Sequence, residues 1–205
     1  MDRREFFRRS ISRVAEKAVE KAENKIATRA VHWIRPPYAK PELEFLLSCS
    51  RCNACIEACS YQIIFPLSAK NGADVMHTPA LDLLNTGCHL CENWPCVTAC
   101  DTNALSLPDI VLKKYESKND NENINENSSN FYLPRLAKAI INTEVCLPYQ
   151  GPECGACATS CIVEGALLWE LERPSINMEL CTGCAMCREH CITEPKAIKI
   201  LNISS

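Results

Sequence analysis

The sequence predicts an α+β fold of two tandem modules, each made of short strands and short helical turns, behind an N-terminal amphipathic helix. Three observations carry the prediction. Sixteen cysteines fall into four groups of four. Short apolar runs, too brief for ordinary helices, flank the groups. The second half of the chain repeats the order of groups and runs seen in the first. In residue ranges this gives a basic head over 1–35, a first module over 36–115, an Asn-rich linker over 116–130 and a second module over 131–205.

The cysteine groups are Cys49, Cys52, Cys55, Cys59; Cys88, Cys91, Cys96, Cys100; Cys146, Cys154, Cys157, Cys161; and Cys181, Cys184, Cys187, Cys191. The first and last have the spacing C-x2-C-x2-C-x3-C, the ligand run of bacterial-type [4Fe–4S] proteins. Three cysteines within seven residues curl the backbone around one corner of a cube and turn amide N–H groups toward an anionic centre. The fourth lies four residues beyond the third, about 6 Å along a helical turn, which suits a second centre. In two-cluster ferredoxins the fourth cysteine does ligate the other cluster. The expectation is therefore four [4Fe–4S] clusters, held by Cys49, Cys52, Cys55 and Cys100; by Cys88, Cys91, Cys96 and Cys59; by Cys146, Cys154, Cys157 and Cys191; and by Cys181, Cys184, Cys187 and Cys161. A nested pairing, group one with four and two with three, is the alternative. A disulfide scaffold fits so regular a spacing badly. Zinc sites use pairs and would leave the third cysteine of each triplet idle.

Composition narrows the function. A chain of 205 residues with 6% aromatics has room for two small cores and no large enzyme core. Such cores need a staple, so folding is expected to depend on the metal. The net charge of −3 hides an asymmetry: residues 1–35 hold ten Lys/Arg against five Asp/Glu, and the body is acidic. That argues against nucleic acid as the body's partner. No run approaches the 18 uncharged apolar residues of a membrane span. Nucleotide fingerprints, acid–base pairs and nucleophile pairs are all absent from the reading, so the chain is expected to be no enzyme by itself.

In chain order, MDRREFFRR resembles the start of a twin-arginine export signal. The residues that follow are charged where such a signal needs an apolar run, so a retained, cytoplasmic head is expected. A periplasmic location by an atypical signal is the alternative. Residues 10–34 read as an amphipathic helix capped by Ser10. Arg13, Lys17, Lys21, Lys25 and Arg29 recur every four residues as a basic ridge, read as a docking element for an acidic protein surface or, peripherally, a membrane. Ile34 to Tyr38, IRPPY, ends that helix as an extended strap, since prolines cannot continue it. IIFPL after group one and PALDLL before group two read as strands. Residues 116–130, ESKNDNENINENSSN, cannot bury enough surface to fold. AKAIIN before group three and KAIKILN after group four read as outer strands that pair. EGALLWELERPSINMEL between groups three and four reads as a hairpin with Arg173-Pro174-Ser175 near its tip. His89 and His190, inside cysteine groups, read as neighbours rather than ligands, and Trp94 and Trp169 as packing residues.

With these residues in view, the chain resembles the ferredoxin-type proteins of periplasmic nitrate reductase systems, the NapF/NapG/MauM group. The resemblance is carried over residues 34–201 by IRPPYAKPELEFLLSCSRCNACIEAC, which is NapF-like, by the widened C-x7-C opening of VCLPYQGPECGACATSC, and by MELCTGCAMCREHC. CHLCENWPCVTAC is closer to the NapG/MauM form. The NapF-like reading is preferred, and it implies help in maturing a nitrate reductase-type molybdoenzyme, with a redox protein or the apo-molybdoenzyme as partner. The other branch implies an exported subunit between a quinol-oxidising membrane partner and a periplasmic reductase or dehydrogenase. One departure stands out: where ferredoxin groups often end in Cys-Pro, the following residues here are Ser60, Asp101, Ile162 and Ile192.

Overall fold

The computed structural model describes residues 33–109 and 133–203, together with Lys17 and Val111. Lys17 is helical and exposed. The other ridge residues Arg13, Lys21, Lys25 and Arg29, and the segment 116–130, lie outside the described residues. The helix expected over 10–34 does not include its last two residues, because Trp33 and Ile34 already belong to the strap, where Ile34 bridges Leu81.

The strap folds onto the first half instead of leading to it. Leu81 donates its amide to the Ile34 carbonyl (2.8 Å), and Lys40 and Ser106 donate to Ala104 (3.0 Å) and Tyr38 (3.0 Å). Pro36 and Pro37 are fully buried; lacking amide N–H groups, they leave no donor stranded there. Arg35, counted with the basic head in the sequence, is a body residue. It pairs with Glu42 at 2.6 Å, lies 4.6 Å from the centre of the Phe45 ring, and donates to Thr78 Oγ1 and the Pro79 carbonyl.

Helix α1 (Glu42–Ser48) starts just after Pro41, whose carbonyl accepts from the Phe45 amide at 2.8 Å. Two acids in its first turn, Glu42 and Glu44, suit the positive end of the helix dipole. Phe45 on one face is fully buried, which contributes roughly 2–3 kcal/mol, and the chain leaves the helix into Cys49. Short helix α2 (Ala54–Glu57) carries the third cysteine of group one. Strand β1 (Ile64–Pro66) pairs antiparallel with β2 (Pro79–Leu81). Between them residues 67–78 form an excursion with a 3-10 turn at Ala69–Asn71. Arg51 holds it down, donating to the carbonyls of Met76 (3.1 Å) and Asp74 (2.8 Å). Helix α3 (Pro95–Thr98) carries the third cysteine of group two.

The second half repeats the plan with cleaner strands. β3 (Lys138–Ile141) pairs with the last strand, β6 (Ile198–Leu201), through four residue pairs. These are the outer runs expected to pair. Helix α4 (Leu147–Gln150) occupies the widened loop of group three. The hairpin β4 (Leu167–Glu170) and β5 (Arg173–Ile176) joins groups three and four. Its tip is Leu171-Glu172, not Arg173-Pro174-Ser175: both tip residues have positive φ (48° and 65°), the two-residue turn whose twist matches a hairpin. Pro174 sits inside β5, opposite Trp169, which a two-stranded sheet tolerates at an outer edge. Helix α5 (Met186–Glu189) carries the third cysteine of group four.

The halves share one core. Phe45, Leu83, Trp94 and Leu105 from the first pack in the same buried cluster as Leu136, Ala137, Cys184 and Met186 from the second. Among the described residues no helix is long and apolar enough to cross a membrane.

Candidate metal centres

Local backbone conformation shapes the cysteine loops. In groups one, two and four the residue before the second cysteine is left-handed: Arg51 (φ 59°), Leu90 (45°) and Gly183 (70°). A left-handed residue also starts each helix that carries the third cysteine: Asn53 (66°), Trp94 (45°) and Ala185 (67°). Alternating right- and left-handed residues turn successive amide N–H groups to one side, a nest for an anion. Each left-handed residue other than glycine costs about 1–3 kcal/mol, so the loops hold strain that something else offsets. At Gly183 no other residue fits, since a Cβ would stand 2.0 Å from the Ala137 carbonyl oxygen.

The thiols gather in four sets. Cys55 lies among Cys49, Cys100 and Cys52; burial first, then these neighbours, push it up to about 11. Cys59, Cys88, Cys91 and Cys96 line one small cavity, walled by Pro37, Tyr61, Ile63, His89 and Trp94. Cys146, Cys154, Cys157 and Cys191 line another. A third is lined by Cys161, Cys181, Cys184 and Cys187. In every set three cysteines come from one group and the fourth from its neighbour in sequence. The short helices are the cause. α2 leaves Cys55 in the first set and delivers Cys59 to the second; α3 leaves Cys96 in the second and delivers Cys100 to the first; α5 separates Cys187 from Cys191 in the same way.

Among the described residues no three His, Cys, Asp or Glu side chains are placed to hold a single metal ion. Burial pushes Cys88, Cys96 and Cys187 up to about 12 and Cys157 to about 11, so without a metal these are neutral thiols, and a metal would have to displace their protons. Two buried side-chain atoms among the described residues have no hydrogen-bond partner, Trp169 Nε1 and Thr182 Oγ1. Trp169 walls the third set and Thr182 the fourth. Orphaned donors beside thiolate cavities are what a sulfur-bearing group would satisfy. Thr182 Oγ1 stands near the Cys184 thiol, which burial raises and which the Met186 amide and then this hydroxyl partly bring back, although its position falls outside hydrogen-bond geometry.

Two residues after the last cysteine of groups four and two stands a threonine. Thr193 Oγ1 lies 3.3 Å from Cys191 Sγ and accepts the Ala197 amide at 2.9 Å. Burial raises Cys191, yet the Thr193 hydroxyl and the amides of Thr193, Ala197 and Ile198 outweigh it and hold this thiol below its ordinary value. Thr102 stands by Cys100 at 3.7 Å, and the Leu105 amide donates to Cys100 Sγ at 3.4 Å. The Cys-x-Thr spacing was in the sequence and unread there. His89 stacks on Tyr61 with ring centres 3.4 Å apart at the wall of the second set, and His190 Nδ1 lies 2.9 Å from the Met186 carbonyl. Trp94 is buried edge-on against Tyr38.

Known proteins are similar to this chain in sequence. The chain is 30% identical over 182 residues to the methylamine utilization ferredoxin-type protein MauM of Methylophilus methylotrophus, covering 84% of this chain and 72% of that one. It is 30% identical over 184 residues to the ferredoxin-type protein NapG of Escherichia coli (83% and 71%). It is 29% identical over 171 residues to the ferredoxin-type protein NapF of the same organism (80% and 82%). No family model matches the chain, and no solved structure is similar to it. Ferredoxin-type proteins transfer electrons through iron–sulfur groups, a role that sixteen cysteines can equip. On this identity and coverage, the chain belongs to the ferredoxin-type proteins of the NapF/NapG/MauM group.

Proposed function

We propose that the chain carries four [4Fe–4S] clusters, one in each thiol set, and passes single electrons between redox partners that serve a molybdoenzyme of the periplasmic nitrate reductase kind, or the precursor of that enzyme. The observation that carries this reading is the composition of the cavities: each brings three cysteines of one group together with the fourth of the group paired with it. A [4Fe–4S] cluster takes up and returns one electron without a change of ligands. The chain's residues do the rest. Thiolates fix the position, the nests of amides stabilise the added charge, apolar walls such as Trp94, Val163 and Ile198 keep water away, and no proton donor or nucleophile is required. The two modules are two ligand-exchanging pairs, groups one with two and three with four. The basic head docks on an acidic surface of the partner from the cytoplasmic side. Anaerobic purification with iron and acid-labile sulfide analysis tests the loading: about sixteen irons per chain are expected, and about eight would overturn it. Titration against the apo-molybdoenzyme tests the partner, with a stoichiometric complex expected and its absence contrary.

A second reading is favoured by the 30% identity to NapG and MauM: an exported subunit passing electrons from a quinol-oxidising membrane partner to a periplasmic reductase or dehydrogenase. Cell fractionation with N-terminal sequencing separates the two. An intact Met1 in the cytoplasm supports the first, and a shortened chain in the periplasm the second.

A further inference from the structure

Among the described residues the halves meet where Asn202 Nδ2 donates to the Trp33 carbonyl at 2.6 Å, and again at a junction built from the thiol sets themselves. The Cys88 amide donates to the Cys184 carbonyl at 2.7 Å. Beside it the Gly87 amide donates to Glu189 Oε2 at 2.7 Å, and Arg188 Nε donates to the Leu84 carbonyl at 2.9 Å. Gly87 admits no larger residue, because a Cβ there would stand 2.6 Å from Met186 Sδ and 2.7 Å from its amide nitrogen. Cys88 belongs to the second set and Cys184 to the fourth, so these two sets face each other across the shared core. Within each half the sets are neighbours too: one helical turn separates Cys55 of the first set from Cys59 of the second, and Cys187 of the fourth from Cys191 of the third. The third set packs in a core of its own, with Ala139, Ala197 and Ile198.

We infer that electrons cross between the halves through the second and fourth sets alone, so that the path runs first, second, fourth, third, and not in sequence order. This rests on the cluster loading proposed above. One electron enters at an end set from a one-electron donor protein and leaves at the other end to a one-electron acceptor, and no bond is made or broken. At the ends of this path Cys52 of the first set is exposed, and Leu171, 96% exposed, lines the groove beside Cys154 of the third. The junction residues Gly87, Cys88, Cys184 and Met186 are in contrast enclosed by the core that both halves build, which fits a passage sealed from solvent.

The test is low-temperature EPR on the anaerobically purified full chain, reduced with dithionite, in two double variants. Cys52→Ala with Cys154→Ala removes a ligand from each end set and leaves the junction sets intact. Cys91→Ala with Cys187→Ala removes a ligand from each junction set. The first variant is expected to keep spectra broadened by interaction between two centres, and the second to give two unbroadened spectra. Broadening in the second variant and not in the first would overturn the path. Iron content reads the loading separately: about half of the wild-type iron should remain in each variant, and a different residue assigns the failure to the ligand sets. If a double variant retains no iron, an anomalous iron map of the unaltered chain decides. The shortest separation across the halves must join the second and fourth sets, and a shorter one between any other pair contradicts the inference.

Discussion

The two halves hold their thiols in the same way and wall them differently. In the second half β3 and β6 form a four-pair ladder, and the hairpin β4–β5 closes with the two-residue turn Leu171-Glu172. In the first half the outer ladder shrinks to isolated bridges, Ile34 to Leu81 and Ala39 to Leu105, and the inner strands are joined through the excursion of residues 67–78. A buried ion pair, Arg35–Glu42, does what the ladder does in the other half. The lesson is that the sheets are optional lining. Two-stranded sheets are marginal in water on their own, so on the proposed loading a plan that survives exchange of a ladder for a strap is held from within, by what the cysteines bind.

The largest expected effect tests that lesson. Removing the iron anaerobically should unfold both halves together, seen as loss of a cooperative melt by circular dichroism. A native-like apo-protein would show that the walls suffice. Next is a change confined to the second half. Gly183→Ala places a Cβ against the Ala137 carbonyl at a left-handed position. It should cost the fourth set its iron, about a quarter of the total with four equal sets, while the first half keeps its content. Arg35→Ala is the counterpart in the first half. The pair's side chains are 10% and 13% exposed, so removing one charge strands Glu42 and should cost about 3–4 kcal/mol. A denaturant midpoint equal to wild type would make the strap dispensable. The smallest effect on stability is expected for Trp169→Phe, which keeps the ring and deletes the orphaned indole N–H at the third set. It should lower one midpoint potential of the four in an EPR-monitored titration, because a donor to sulfur stabilises the reduced state. Four unchanged midpoints would mean that the donor points elsewhere.

Much of this was legible in the cysteines and little in what surrounds them. Spacing alone places Cys55 and Cys59 at opposite ends of one helical turn, and the gathering of Cys59 with Cys88, Cys91 and Cys96 follows that geometry. Periodicity found the outer pair β3–β6 because Ala139, Ile141, Ile198 and Ile200 alternate as an inner face must. The turn at Leu171-Glu172 was missed since neither residue favours positive φ, and Arg-Pro-Ser reads more like a tip. Arg35 was only counted in the charge of the head, because its burial depends on Glu42 and Thr78, partners that no local window shows. Glu189 reaching Gly87, and Cys184 reaching Cys88, are contacts across about a hundred positions of chain. They are set by the docking of two finished halves, which spacing does not encode.

The central claim is that each centre is held by three cysteines of one group and the fourth of its sequence neighbour. An anomalous diffraction map at the iron edge, from anaerobically grown crystals, tests it most directly. The account predicts four compact iron peaks, with Cys100 beside Cys49, Cys52 and Cys55, Cys59 beside Cys88, Cys91 and Cys96, Cys191 beside Cys146, Cys154 and Cys157, and Cys161 beside Cys181, Cys184 and Cys187. Peaks ligated by the four cysteines of a single group, or a nested pairing of group one with group four, would contradict it.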